Sequence, residues 1–155
     1  MKGKNIEKTI ITVAIILGLL AVILGVFTFY WTRPAQRYQR LISSAEKYLA
    51  DEDFEQALLA FEKAIFIDPK AVDAYIGKAG TYEQYAKKIS NEDADKAILL
   101  YEKAIETWDI VGEIREDSMK SNQAIAGLYM NEGELLKTSN EEKSYEVYQK
   151  ADDIY

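Results

Sequence analysis

The chain has 155 residues, no cysteine, no histidine and a formal net charge of −7 at pH 7. The missing residue types exclude disulfides, thiolate nucleophiles, imidazole bases and the usual zinc ligands. From Leu41 onward there are 13 basic and 25 acidic residues, and this charge has the wrong sign for binding nucleic acid.

The first predicted element is an apolar helix. Residues 9–31 contain no charged side chain, and a helix of that length spans about 34 Å, enough to cross a hydrocarbon core of about 30 Å. Phe29, Tyr30 and Trp31, followed by Arg33, place rings and a cation where a membrane–water interface favours them. The run is longer than the apolar core of a cleaved signal peptide. The sequence therefore predicts an uncleaved transmembrane helix over residues 9–31, after a short basic tail of residues 1–8.

The orientation of this helix depends on the charges that flank it. Three lysines precede it and three arginines follow it, so the positive-inside rule nearly balances. A tail of only eight residues is typical of a signal-anchor, which exports the domain that follows. We expect this domain outside the cytoplasm, at a bacterial inner membrane, and a cytosol-facing domain stays the alternative.

Small residues recur at steps of three and four along the predicted membrane helix, on a face where a second helix could pack closely. They are Ala14, Gly18, Ala21, Gly25 and Thr28. Gly is also common in membrane helices without such a role, so helix packing and chance both stay open as explanations.

A short linker is predicted at residues 32–37. Thr32 has the side chain of a helix cap, and Pro34 suits the first turn of a new helix because its missing N–H costs little there. The domain that follows is therefore expected close to the bilayer.

The remaining chain contains an internal repeat. A large residue, a small residue and a tyrosine recur with a displacement of 34 residues: Leu41, Ala45 and Tyr48, then Tyr75, Ala79 and Tyr82. A second set follows with a displacement of 40 residues: Ala57, Phe61 and Ala64, then Ala97, Tyr101 and Ala104. A weaker third unit lies 47 residues further on: Ala126, Tyr129, Ser144, Tyr148 and Ala151. Fixed displacements of this kind indicate a helical repeat array.

Turn signals separate the helices of each unit. Polar residues 51–53 end the first helix, and Asp68-Pro69 ends the second because the residue before proline disfavours helical backbone. The pairs Ser90/Asp93 and Ser139/Glu142 have capping-box spacing and predict where two later helices start. Close contact of Ala45 with Ala57 and Ala64 is expected, with Tyr48 and Phe61 filling the space around the crossing.

The pattern resembles the tetratricopeptide repeat (TPR), in which a large residue, a small residue and Tyr lie on the first helix. The second helix of that repeat carries Ala-x3-Phe-x2-Ala and is closed by Pro. The resemblance implies an all-α fold, in which one transmembrane helix precedes an α-solenoid of about three TPR-like hairpins at residues 38–155. The units are expected at about 38–71, 72–111 and 119–155.

By the same resemblance, ligands lie along the concave surface made by the first helix of each unit. This surface maps to Gln39, Ile42, Glu46, Leu49, Asp73, Ile76, Gly80, Glu83, Lys120, Gln123 and Met130. The first two units offer acidic and apolar residues, which do not match the Lys and Asn clamp that some family members use for a carboxylate. A basic or amphipathic helical segment suits such a groove better.

The resulting hypothesis is a membrane-anchored protein–protein interaction scaffold, acting in envelope assembly, secretion or quality control. The alternative is a cytosol-facing receptor or co-chaperone for basic client segments. No cofactor, metal or catalytic residue is expected, because paired acids such as Asp51 and Asp53 lie in turn-like segments without a nucleophile or base. The last predicted helix ends near Tyr155, so either its rings stay partly exposed or a second copy or a larger membrane complex covers them.

Overall fold

The computed structural model describes residues 2–115 and 118–154. These residues form six α-helices and no strand: α1 (Lys2–Ala50), α2 (Phe54–Ile67), α3 (Val72–Ile89), α4 (Ala94–Arg115), α5 (Met119–Leu136) and α6 (Glu141–Asp152). The predicted all-α class is confirmed. The side chains of residues 2–11 and 30–32 lie outside the described part, and so do those of the predicted tail and of Tyr30 and Trp31. The predicted end at Tyr155 also lies outside it.

Two compact units make up the chain, Met1–Arg37 and Tyr38–Tyr155. In the first unit, the helix from Thr12 onward is apolar and long enough to cross a membrane. Its described large apolar side chains, including Val13, Leu17 and Leu24, are all exposed. The prediction of an N-terminal apolar helix of spanning length is confirmed.

The structure differs from the sequence prediction at residues 32–37. Helix α1 runs through these residues without a break and contains Pro34 in its interior, so Thr32 does not begin a separate helix. Proline removes one backbone hydrogen bond and crowds one carbonyl. The long helical segments on both sides retain their own hydrogen bonds, which is why the helix continues past this position.

In the second unit, each helix packs against its neighbour in the chain. Helix α2 contacts α3, α3 contacts α4, α4 contacts α5, and α5 contacts α6. The part of α1 that belongs to this unit joins them through Ala45, which packs with Ala60 and Phe61 of α2. The core is therefore a series of shared helix–helix contacts.

The first two predicted turns are confirmed. Helix α1 ends at Ala50, and Asp53 caps α2 by accepting a hydrogen bond from the Gln56 N–H at 3.2 Å. Helix α2 ends at Ile67, where Asp68 has extended backbone before Pro69. Polar side chains and proline thus close the first hairpin as the local chemistry predicts.

The two predicted capping boxes place the helix cap too early, by three residues at Ser90 and by one residue at Ser139. Asp93 caps α4, since its carboxylate accepts from the Lys96 N–H at 2.9 Å, whereas Ser90 lies at the end of α3. Asn140 caps α6, since its side chain accepts from the Lys143 N–H at 3.0 Å. Both caps directly precede the first helical residue, where a short side-chain oxygen reaches the N–H three residues on.

The repeated small residues lie in the core. Ala45, Ala57, Ala64, Ala79, Ala97, Ala104 and Ala126 are completely buried, and Ala151 is nearly so. Phe61 is also buried, but Tyr48 is 38% exposed and does not fill the predicted space. Phe54, the first residue of α2, is buried beside that turn and stacks on Tyr85 with ring centroids 5.0 Å apart.

Candidate partner-binding surface

The predicted concave surface falls on three helices of the second unit. Its residues on α1 are Gln39, Ile42, Glu46 and Leu49; on α3, Asp73, Ile76, Gly80 and Glu83; on α5, Lys120, Gln123 and Met130. Steps of three, four and seven place the members on one helix along the same face. The set therefore forms three short stripes, one on each odd-numbered helix.

A hydrogen bond joins α1 to α3, and a shared buried cluster connects α3 with α5. The Tyr38 hydroxyl on α1 donates a hydrogen bond to the Asp73 carboxylate on α3. Ala86 of α3 and Leu128 of α5 belong to the same buried cluster. The stripe on α3 thus belongs to a helix that is joined to α1 and shares its core with α5.

Most of the candidate side chains reach solvent. Gln39, Glu46, Asp73, Lys120, Gln123 and Met130 are exposed, and Leu49, Ile76, Gly80 and Glu83 are half-buried. Ile42 differs because it packs against two buried clusters, one built from α1 and α2 and one that also includes Ala74 of α3. Among the described residues, no side-chain hydrogen bond or ion pair joins two candidate residues, so their side chains do not hold one another in place.

Asp73 has a structural role that sequence reasoning missed. Tyr38, which is only 8% exposed, donates its hydroxyl proton to this carboxylate and so ties α1 to α3. Burial and the neighbouring Asp73 charge raise the pKa of Tyr38 above its usual range. The Asp73 carboxylate therefore contributes to the fold, and the repeat pattern did not predict its hydrogen bond with Tyr38.

Glu83 is also engaged within the domain. Its carboxylate lies 2.6 Å from the Lys87 ammonium, one turn along α3. Burial raises the pKa of Tyr101 on α4, and the Glu83 charge raises it further. Lys87 thus partly neutralises Glu83. Among the described residues the other two candidate acids form no ion pair: Asp73 accepts the Tyr38 hydrogen bond, and Glu46 is exposed.

Glycines on the candidate surface differ from those in the helix contacts. A methyl group on Gly77 would collide with the Phe61 ring, and one on Gly133 would lie 2.8 Å from the Tyr148 ring. Gly80 and Gly127 have nothing within 4 Å of the same position. Packing thus explains why glycine is present at Gly77 and Gly133, but not at Gly80 and Gly127. Gly80 and Gly127 lie 47 residues apart, at equivalent positions of two repeats.

A buried acid was missed. Glu132 on α5 is only 3% exposed, and burial raises its pKa, as does the charge of Glu102, whereas Lys143 and Lys150 on α6 lower it. The signal was present in the sequence, because Glu132 continues the apolar spacing set by Ile125 and Leu128. It lies away from the candidate surface residues on the same helix, which are exposed.

The predicted membrane-packing residues are all exposed on α1. They are Ala14, Gly18, Ala21, Gly25 and Thr28. Gly18 and Gly25 have nothing within 4 Å of an added methyl group, and the Thr28 hydroxyl donates to the Gly25 carbonyl at 3.0 Å. The described structure thus leaves this face uncovered, and its packing role stays a prediction.

Comparison with known proteins gives no relative from which a function can be transferred. No protein-family model matches the chain, and no curated protein matches it. The proposed function therefore rests on the surface residues and the apolar helix of the chain itself.

Proposed function

We propose that the chain is a membrane-anchored scaffold that binds partner proteins through a TPR-like array. The main support for the proposal is the difference in burial between the repeated positions and the variable positions. The repeated alanines are all buried, whereas the stripes on α1, α3 and α5 are mostly exposed and take little part in the core. Positions that the fold does not use are available to a ligand.

The partner we favour is a basic amphipathic helix. Exposed Glu46 and Asp73 supply negative charge, each three residues before an apolar side chain on its own helix, Leu49 and Ile76. Exposed Met130 adds an apolar side chain on α5. A partner helix with Lys or Arg on one edge and Leu or Ile on the other would complement both properties. The acidic balance of the whole domain would also speed its approach at low ionic strength.

Gly80 and Gly127 give this surface two places for close approach. Glycine within a helix costs roughly 0.5–1 kcal/mol relative to alanine, and no neighbouring atom demands it at these two positions. A ligand lying across α3 and α5 would contact the bare backbone there. Binding of such a ligand would then explain why glycine occupies these two helix positions despite its cost to helix stability.

Peptide binding tests this surface in the full chain held in detergent micelles. We expect a fluorescent Lys/Leu amphipathic peptide to bind more tightly than the matching Glu/Leu peptide, and its affinity to fall with salt. Gly80→Ala combined with Gly127→Ala should weaken that binding while raising thermal stability. Equal binding of both peptides, or a double variant with unchanged affinity, would contradict the proposed surface.

The anchor is proposed to be uncleaved and to hold the repeats outside the cytoplasm of a bacterium. The chain has no cysteine, so Ser43→Cys and Ser118→Cys each introduce a single thiol at an exposed position. In intact bacterial cells, labelling of both thiols by a membrane-impermeant reagent would support an envelope scaffold.

Protection of both thiols until lysis would support the second candidate, a cytosol-facing receptor or co-chaperone for basic segments. The nearly balanced lysines and arginines beside the apolar helix keep this alternative open. In either orientation the proposed role is binding, with no catalysis and no cofactor.

A further inference from the structure

Small side chains hold helix α6 against its neighbours. Its buried residues are Ser144, Val147 and Ala151. Helix α4 buries larger side chains as well, including Tyr101 and Ile105. A small side chain removes less apolar surface from water and stabilises the docking of its helix less. A helix of 12 residues is also too short to be stable by itself in water, so α6 is docked less firmly than α4.

Helix α6 packs mainly on α5. The Ser144 hydroxyl donates a hydrogen bond to the Gly133 carbonyl at 2.8 Å. The Tyr148 hydroxyl donates another to the Glu134 carboxylate at 2.9 Å. Water can replace both hydrogen bonds when the two helices separate, so their net contribution to docking is small. Separation of α6 would leave the contacts among α2, α3, α4 and α5 in place.

A buried carboxyl lies in the contact between α5 and α6. Glu132 on α5 is only 3% exposed, and among the described residues no hydrogen bond or ion pair reaches its carboxylate. One turn later on α5, Leu136 packs with Val147 of α6 and Ile98 of α4. Because residues four apart share a helix face, Glu132 faces the space between α4 and α6.

Charged groups of both neighbouring helices act on Glu132. Glu102 of α4 disfavours its charged form, whereas Lys143 and Lys150 of α6 favour it. Tyr129, on the preceding turn of α5, is neutral at pH 7 because burial raises its pKa. Burial has the largest effect on Glu132 and, together with Glu102, raises its pKa above 4.5. The contact therefore accommodates the protonated carboxyl more easily than the charged one.

We propose that α6 detaches reversibly from α5 and that protonation of Glu132 stabilises the docked helix. When Glu132 is charged, separation of α6 gives its carboxylate access to water, while α2 to α5 stay packed. When Glu132 is protonated, this gain from hydration is lost and α6 stays docked. Local opening of this kind occurs where few apolar contacts are buried. The inference needs neither the membrane anchor nor the partner surface.

Hydrogen exchange followed by mass spectrometry tests the detachment in the full chain held in detergent micelles. At pH 7 the amides of α6, corrected for their intrinsic exchange rates, should exchange faster than those of α4 by a factor of roughly ten or more. Equal protection of α6 and α4 would show that α6 opens only when the whole domain unfolds, and would overturn the inference.

Glu132→Gln tests the role of the carboxyl, because it removes the charge and nearly keeps the shape. It should slow exchange of α6 at pH 7 by roughly three- to tenfold, and the difference should disappear below about pH 4.5. Glu106→Gln, an exposed position on α4, removes the same charge as a control and should leave α6 unchanged. An α6 exchange rate that Glu132→Gln does not alter, or that Glu106→Gln alters equally, would overturn the role of Glu132.

The lysines of α6 provide a second test through a double-mutant cycle. Lys143→Gln with Lys150→Gln should speed exchange of α6 at pH 7, because these charges stabilise charged Glu132 while α6 is docked. In the Glu132→Gln chain the same two changes should have a clearly smaller effect. An equal effect in both chains would show that the lysines do not act on Glu132, and would overturn its place in the α5–α6 contact.

Discussion

At the residue scale, glycine and alanine decide how closely neighbouring helices approach. Ala45, Ala79 and Ala104 are fully buried, and Gly77 leaves room for the ring of Phe61. A larger side chain at such a position has to displace a packed neighbour, which costs free energy in a dense core. A larger side chain in place of a glycine on an open helix face displaces no neighbour and has no such cost.

Gly77→Ala should lower the free energy of unfolding by about 1–3 kcal/mol, because the new methyl group collides with the buried Phe61 ring. Gly80→Ala is the matched control on the same helix. It should raise stability by about 0.5–1 kcal/mol, since nothing lies within 4 Å and alanine favours helix. Urea unfolding followed by circular dichroism measures both. Two variants of equal stability would show that Phe61 does not pack on Gly77 as described.

Glu132 makes the stability of the domain depend on pH. Its pKa is raised from 4.5 in the folded state by burial and by Glu102. Between 4.5 and that raised value, the folded state binds more protons than the unfolded state. The contribution of this group to stability therefore falls as pH rises.

Glu132→Gln should accordingly stabilise the domain at neutral pH, by on the order of 1 kcal/mol, because it removes a buried charge. The gain should vanish below about pH 4.5, where Glu132 is protonated in both states. Unfolding curves across this pH range measure the difference, with the exposed Glu146→Gln as control. A gain that is the same at every pH would contradict a titrating buried carboxyl.

At the element scale, the residue directly before α2, α4 and α6 caps the start of each of these helices. Asp53, Asp93 and Asn140 each accept a hydrogen bond from the N–H three residues ahead. Ser139 has the composition of a cap but donates instead to the Leu136 carbonyl at 3.4 Å. Capping-box spacing alone did not distinguish these neighbours, because both lie at the turn and only one precedes the first helical residue.

Asn140→Ala should cost about 1 kcal/mol of stability because the Lys143 N–H loses its side-chain partner. Ser139→Ala should cost less than about 0.5 kcal/mol, as its long hydrogen bond contributes little. Thermal unfolding of the two single variants compares neighbouring residues in one turn. A larger loss for Ser139→Ala would contradict the cap assignment at α6.

At the scale of the whole molecule, the apolar part of α1 and the acidic domain are expected to meet different solvents. The first presents exposed aliphatic side chains over many turns, and the second buries its apolar residues in shared helix contacts. Large continuous apolar surfaces are rare on proteins that stay in water. This contrast is the main support for the proposed anchor.

Leu19→Arg should prevent stable insertion of this helix, because an arginine at the centre of a span costs about 2.5–3.5 kcal/mol. The full chain should stay in the membrane pellet after alkaline carbonate extraction, while the Leu19→Arg chain should move to the soluble fraction. Ser43→Arg, an exposed position in the second unit, should behave like the unchanged chain. Carbonate-resistant Leu19→Arg would argue against a spanning helix.

The sequence alone determined the elements whose causes are local. An uncharged run of helix-forming length, polar turns, Asp68-Pro69 and a fixed spacing of small residues were sufficient to predict an apolar N-terminal helix and an all-α domain with alanines in its core. Hydrophobic spacing and turn chemistry act within a few residues, so they are readable without a fold.

Only the tertiary structure decided which side chains remain free. Tyr38 donates a hydrogen bond to Asp73 across helices, Phe54 stacks on Tyr85 while Tyr48 stays partly exposed, and Phe66 is left exposed. These outcomes depend on contacts between residues that are distant in the chain, and on which of several neighbours fills a shared space. Repeat spacing places a residue on a face of a helix. The packing of the other helices then determines whether that face is buried, bonded to another helix or exposed to solvent.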